Sequence, residues 1–160
     1  MKAVGYQEAG AVARPEALVD IELPRPEPGP RDLLVKIAAI SVNPVDAKIR
    51  SKRPATVDEP QVIGWDAVGE VAAVGAKVQN FAVGDRVFYA GALDRPGSNA
   101  EYQLVDARIV GHAPESLSDA EAAALPLTAI TAWEMLFDRF DLTRPVPGSA
   151  NAILIIGGAG

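Results

Sequence analysis

Two proline clusters, Pro24 to Pro30 and Pro54 to Pro60, set the strictest limit on how this chain can fold. Proline donates nothing to a sheet ladder and cannot continue a helix, so both clusters are loops. The segments around them are short and strand-like. Residues 19–23 (Val-Asp-Ile-Glu-Leu) alternate apolar and charged side chains, as a half-buried strand does. Residues 33–40 are almost continuously apolar, which suits a strand covered on both faces. Residues 68–75 and 85–89 read as two more, the latter reached through a Val83-Gly84-Asp85 turn. Residues 100–106 alternate cleanly after the loop 95–99. Many short strands with turns between them predict a mainly β domain over 1–115, a small and partly open barrel.

The pattern changes near Ser116. Ser118 and Glu121 have the spacing of a capping box, in which serine accepts from the third helical amide and the glutamate reaches back. Pro126 predicts a kink or a fresh helix start. Ile130, Trp133, Phe137 and Phe140 recur at three- and four-residue steps, predicting one apolar helical face. Residues 116–150 therefore read as connecting helices and a loop.

The last ten residues, Asn-Ala-Ile-Leu-Ile-Ile-Gly-Gly-Ala-Gly, read as an apolar strand running into a glycine turn. Such a turn opens a dinucleotide-binding fold, because it lets the following helix aim its N-terminus at a pyrophosphate. Residues 151–160 are thus expected to be the first strand and turn of an α/β nucleotide-binding domain that the chain does not complete. A strand without neighbours exposes apolar surface and unpaired backbone, predicting self-association or disorder there.

Composition narrows the function. Fifteen basic against twenty-one acidic residues leave a net charge of −6. That argues against a nucleic-acid partner and against an anionic membrane surface. Cysteine is absent, which suits a reducing compartment, and no signal-peptide core opens the chain, so a cytoplasmic location is expected.

Three segments taken together resemble the medium-chain dehydrogenase/reductase superfamily, in its zinc-type alcohol dehydrogenase-like and quinone oxidoreductase-like branch. They are residues 40–48 (Ile-Ser-Val-Asn-Pro-Val-Asp-Ala-Lys), residues 63–75 with 83–87, and residues 123–133. The resemblance implies a GroES-like domain over 1–115 ahead of a Rossmann domain. A catalytic zinc in this superfamily takes two thiolates and an imidazole, leaving one position open. By the pattern match those places hold Asn43, Trp65 and Leu127, so no metal site is expected.

Without a metal, the resemblance implies hydride transfer from NADPH to a quinone or an α,β-unsaturated carbonyl, with the protein supplying positioning and electrostatics. Substrate-site candidates are Asn43, Trp65, Asp66 and Leu127. Cofactor-site candidates are Asn43, Thr131, Gly157, Gly158, Ala159 and Gly160. Tight NADPH binding by these 160 residues alone is not expected. Structural readings stand beside the functional ones: a turn-forming Asn-Pro for Asn43, core packing for Trp65, helix packing for Thr131. Asp46 reads as a helix-start or turn carboxylate, and His112 as a loop side chain. Lys48 and Pro54 stand where some quinone reductases carry aromatic hydroxyls. Two other functions remain open at this point, a non-enzymatic GroES-like binding module and a zinc alcohol dehydrogenase.

Overall fold

The computed structural model describes residues 1–11, 13–144, 147–148 and 152–157. Two compact units divide it, Met1–Thr128 and Ala129–Gly160. The first unit runs on past residue 115 because the helix after that point packs on the sheet.

The described residues of the first unit hold eight strands in two antiparallel sheets. β1 (Lys2–Tyr6) lies between β2 (Val19–Glu22) and β4 (Gln61–Val62). The larger sheet runs in the order β7 (Tyr102–Asp106), β3 (Asp32–Ser41), β5 (Asp66–Val74), β6 (Arg86–Ala90), β8 (Gly111–His112). β7 and β8 are its two edges, so the sheet stays open, as expected. The pairing of β3 with β5 shifts register twice, at Leu34/Val35, where the extra residue is Ala72 of β5, and at Ile37/Ala39, where it is Ala38 of β3. Each bulge leaves a residue unpaired and sharpens the local twist, which curls a long strand without a barrel closing.

Leu33, Val35, Ala67, Val71, Val87, Tyr89 and Val105 form the main core. A fully buried aliphatic side chain contributes about 1.5–3 kcal/mol, so this layer supplies much of what holds the sheet. A second cluster sets Val68 against Ala113, Ala122 and Ala123. Those alanines belong to α2 (Asp119–Ala123), which begins at the expected capping box. Ser118 accepts from the Glu121 amide while the Glu121 carboxylate accepts from the Ser118 amide. Arg86 of β6 fastens the approach to this helix, donating to Asp119 and to the carbonyls of Pro114 and Leu117.

Four short elements, β1, β4, α1 (Pro44–Lys52) and β8, have no clear signal in the sequence. β1 and β4 show no alternation long enough to notice. α1 hides behind an Asn-Pro pair, yet Asn43 is its N-cap and Pro44 its first residue, a position proline suits. His112 lies in the two-residue strand β8 and not in a loop, its ring 4.9 Å from that of Phe81.

α3 (Pro126–Trp133) starts at Pro126 in the first unit and ends in the second, where residues Glu134–Arg139 follow as a π-helix. The amide of Phe140 donates to the carbonyl of Met135, five residues back. That wider turn breaks the single apolar face expected of Ile130, Trp133, Phe137 and Phe140, all of which are exposed. Residues 152–156 carry no strand, contrary to expectation, because a strand exists only where a ladder partner exists. Gly157 turns with φ 70, a conformation that favours glycine. Among the described residues no helix is long and apolar enough to cross a membrane.

Candidate functional site

The site is built where three segments distant in sequence begin. Asn43 caps α1 in extended conformation, and its backbone amide donates to the Asp46 carboxylate at 2.7 Å. Asp46 is itself buried, so the helix-start reading of this residue holds. The Asn43 side chain, half-buried, turns to the start of β5 and donates its Nδ2 to Asp66 Oδ2 at 2.9 Å. Leu127, the second residue of α3, donates its backbone amide to Asp66 Oδ1, also at 2.9 Å.

Asp66 is fully buried. Burial is the main influence on its carboxyl and raises its pKa above the ordinary 3.8. The bonds from Asn43 and Leu127 pull the other way, and the neighbouring Asp46 charge adds to the rise. Gly64 makes the approach to this residue feasible. Its φ of 98 favours glycine, and a β-carbon there would run into Ser98 and Asn99. The turn it makes sends Trp65 and Asp66 to their separate places.

Trp65 goes to the core. Its indole is 1% exposed, packs with Tyr6 and Ile63, and donates its N–H to the Ala92 carbonyl at 3.0 Å. The core-packing reading therefore describes it. Leu127 contributes its backbone amide, a role that Pro126 signals. A proline at the first helical position leaves the next amides free for a partner. Thr131 lies on α3 within the second unit, and Gly157 in the same unit makes its open turn. Gly158, Ala159 and Gly160 lie outside the described residues. Lys48 and Pro54 are exposed.

No group of three or more histidines, cysteines, aspartates or glutamates among the described residues could hold a metal ion. The chain has no cysteine and one histidine. An amide, an indole and an alkyl side chain stand where the resemblance puts two thiolates and an imidazole, and they do not fit zinc.

Residues 29–115 match the alcohol dehydrogenase GroES-like domain. The chain belongs to that family. Its relatives place it in the medium-chain dehydrogenase/reductase superfamily. It is 45% identical, over its whole length, to a zinc-type alcohol dehydrogenase-like protein of Staphylococcus aureus (strain COL), of which the match covers 48%. It is 38% identical to the 2-methylene-furan-3-one reductase of Solanum lycopersicum, covering 41% of that protein. Among solved structures, a candidate zinc-dependent alcohol dehydrogenase of Rhizobium etli CFN 42 superposes with TM-score 0.93 at 57% identity, over 99% of this chain and 46% of the other. The Escherichia coli quinone oxidoreductase complexed with NADPH gives TM-score 0.74 at 29% identity, over 85% and 40% of the two chains. The GroES-like chain thus spans about half the length of the curated relatives it matches.

Proposed function

We propose that this GroES-like chain is the substrate-side part of a zinc-independent, NADPH-dependent oxidoreductase that reduces quinones or α,β-unsaturated carbonyls. One observation carries the reading. At the place where a metal-using relative would present ligands, this chain presents an asparagine amide tied to a buried carboxylate. An amide N–H polarises a carbonyl oxygen by hydrogen bonding and needs no metal to do so. An activated alkene, whose β-carbon accepts hydride readily, suits so mild an electrophile. The relatives named for quinone and furanone reduction support that substrate class, and the absence of cysteine supports a reducing, cytoplasmic setting.

NADPH, when bound, supplies the hydride. Gly157 would begin its phosphate turn: its backbone conformation is that of a glycine turn, and no atom outside its neighbours crowds the place of a β-carbon. Thr131, Gly158, Ala159 and Gly160 are the other candidates for holding the cofactor. Asn43 would orient the substrate oxygen or the nicotinamide group through its amide. Trp65, packed with Tyr6 and Ile63, stays in the core and takes no part in that contact. A domain layout of 1–115, 116–150 and 151–160, with the last opening the nucleotide-binding part, belongs to the same proposal.

The test uses a protein in which this sequence is joined to a whole nucleotide domain. Loss of NADPH absorbance on adding a naphthoquinone or cyclohexenone, unchanged by a strong chelator, is the expected result. Alcohol oxidation that needs stoichiometric zinc, found by elemental analysis, would overturn the proposal.

A further inference from the structure

An amide serves a ligand only if something decides which way it faces, and at Asn43 that decision belongs to Asp66. The two carboxylate oxygens are divided between two donors, Asn43 Nδ2 on Oδ2 and the Leu127 amide on Oδ1, each at 2.9 Å. With the side chain fully buried, rotation of the carboxylate would break one bond or the other. The donors lie 23 residues before it and 61 residues after it, so no local turn brings them there. A carboxylate taken out of water is costly unless hydrogen bonds satisfy it, and here both oxygens are satisfied.

We propose that Asp66 is a positioning residue: a carboxylate tether that turns the Asn43 amide nitrogen inward and joins the starts of α1, β5 and α3. The amide has two N–H hydrogens. One is committed to Asp66, and the other is held at a set angle to it. In a metal-using chain the ion itself would tie positions 43, 65 and 127. Here a carboxylate one residue beyond the middle position makes the tie with two hydrogen bonds. The tether stands on geometry alone; that the held amide meets a substrate rests on the reductase reading.

Hydrogen exchange followed by NMR on the 160-residue chain tests the tether without any activity. In Asp66→Ala, exchange at both the Asn43 side-chain amide and the Leu127 backbone amide rises at least about tenfold. The Val71 amide, bonded to the Asp85 carbonyl within the sheet, reports that the fold is intact. Asp66→Asn keeps the shape and one acceptor oxygen, and frees at least one of the two donors while leaving Val71 protected. The tether is overturned if both donors keep their exchange rates in Asp66→Ala with Val71 protected. It is equally overturned if Asp66→Ala unfolds the chain and Asp66→Asn changes neither donor. A second arm adds cyclohexenone: the Asn43 side-chain resonances shift in the wild-type chain and not in Asp66→Asn. A wild-type chain with a protected Asn43 amide and no response to the enone counts against the reductase reading and supports the tether by its exchange alone.

Discussion

The two units use apolar residues in opposite ways. In Met1–Thr128, Leu33, Val35, Val71 and Val87 are wholly buried between strands. In Ala129–Gly160, Ile130, Trp133, Met135, Phe140 and Ile153 to Ile156 are exposed, and none of the described residues is buried. Trp133 and Phe137 stack on each other, with ring centres 4.4 Å apart, but that contact is local to one helical turn. Hydrophobic content is therefore not what separates the units. Strands of the first unit find partners far along the chain, and side chains between them become inaccessible. Helical turns of the second bond their own backbone locally, so no ladder there presses apolar side chains together as the sheets of the first unit do.

The contrast can be broken most easily at Leu33. Its replacement by alanine is expected to cost about 2–5 kcal/mol in urea unfolding, through lost transfer energy and the cavity left behind. A smaller effect, about 1–3 kcal/mol, is expected for Asp66→Ala, which strands two donors. Its pH dependence carries a definite sign. The folded state raises the Asp66 pKa above 3.8, so it binds a proton more tightly than the unfolded chain does. The contribution of Asp66 to stability is fully present below 3.8 and declines as pH rises through the folded value. The wild-type advantage over Asp66→Asn should accordingly grow on acidification from neutrality. Asp32 behaves oppositely. The Arg95 guanidinium, bonded to both its oxygens, holds its carboxyl below 3.8 despite some burial. Its contribution is present above 3.8 and is lost as pH falls through the folded value, so Asp32→Asn should cost least in acid.

Ser118→Ala comes next, at about 1 kcal/mol, for loss of the N-cap on α2. Trp133→Ala should change unfolding free energy by no more than about 0.5 kcal/mol, as expected for an exposed side chain. If that substitution cost as much as Leu33→Ala, the distinction between the units would collapse.

Much of the first unit is legible in the sequence. The strands over 19–23, 33–40, 68–75, 85–89 and 100–106 all exist with small changes at their ends, because period-two alternation and proline loops are local signals. The capping box and the helix start at Pro126 are local in the same sense. β1 was missed because its five residues acquire meaning only from β2 and β4 beside them. The 153–156 strand was expected from composition, and composition cannot supply a neighbour. At the site, the residue types at 43, 65 and 127 were legible, and with them the poor match to zinc. The Asp66 junction was not, since nothing in a linear pattern says that a carboxylate will meet an amide 61 residues later. Trp65 was balanced between wall and core, and only the Ala92 carbonyl, 27 residues away, decides between them.

Arg86 has a reach beyond its own contacts. Its three donations latch the crossing from the sheet's edge to α2, and α2 leads within a few residues to the Leu127 amide on Asp66. Loosening that latch would let the carboxylate lose a donor although no atom of the junction had been altered. A lesion at Arg86 would thus mimic a lesion at the site, and the junction's geometry is guarded from the opposite end of a strand.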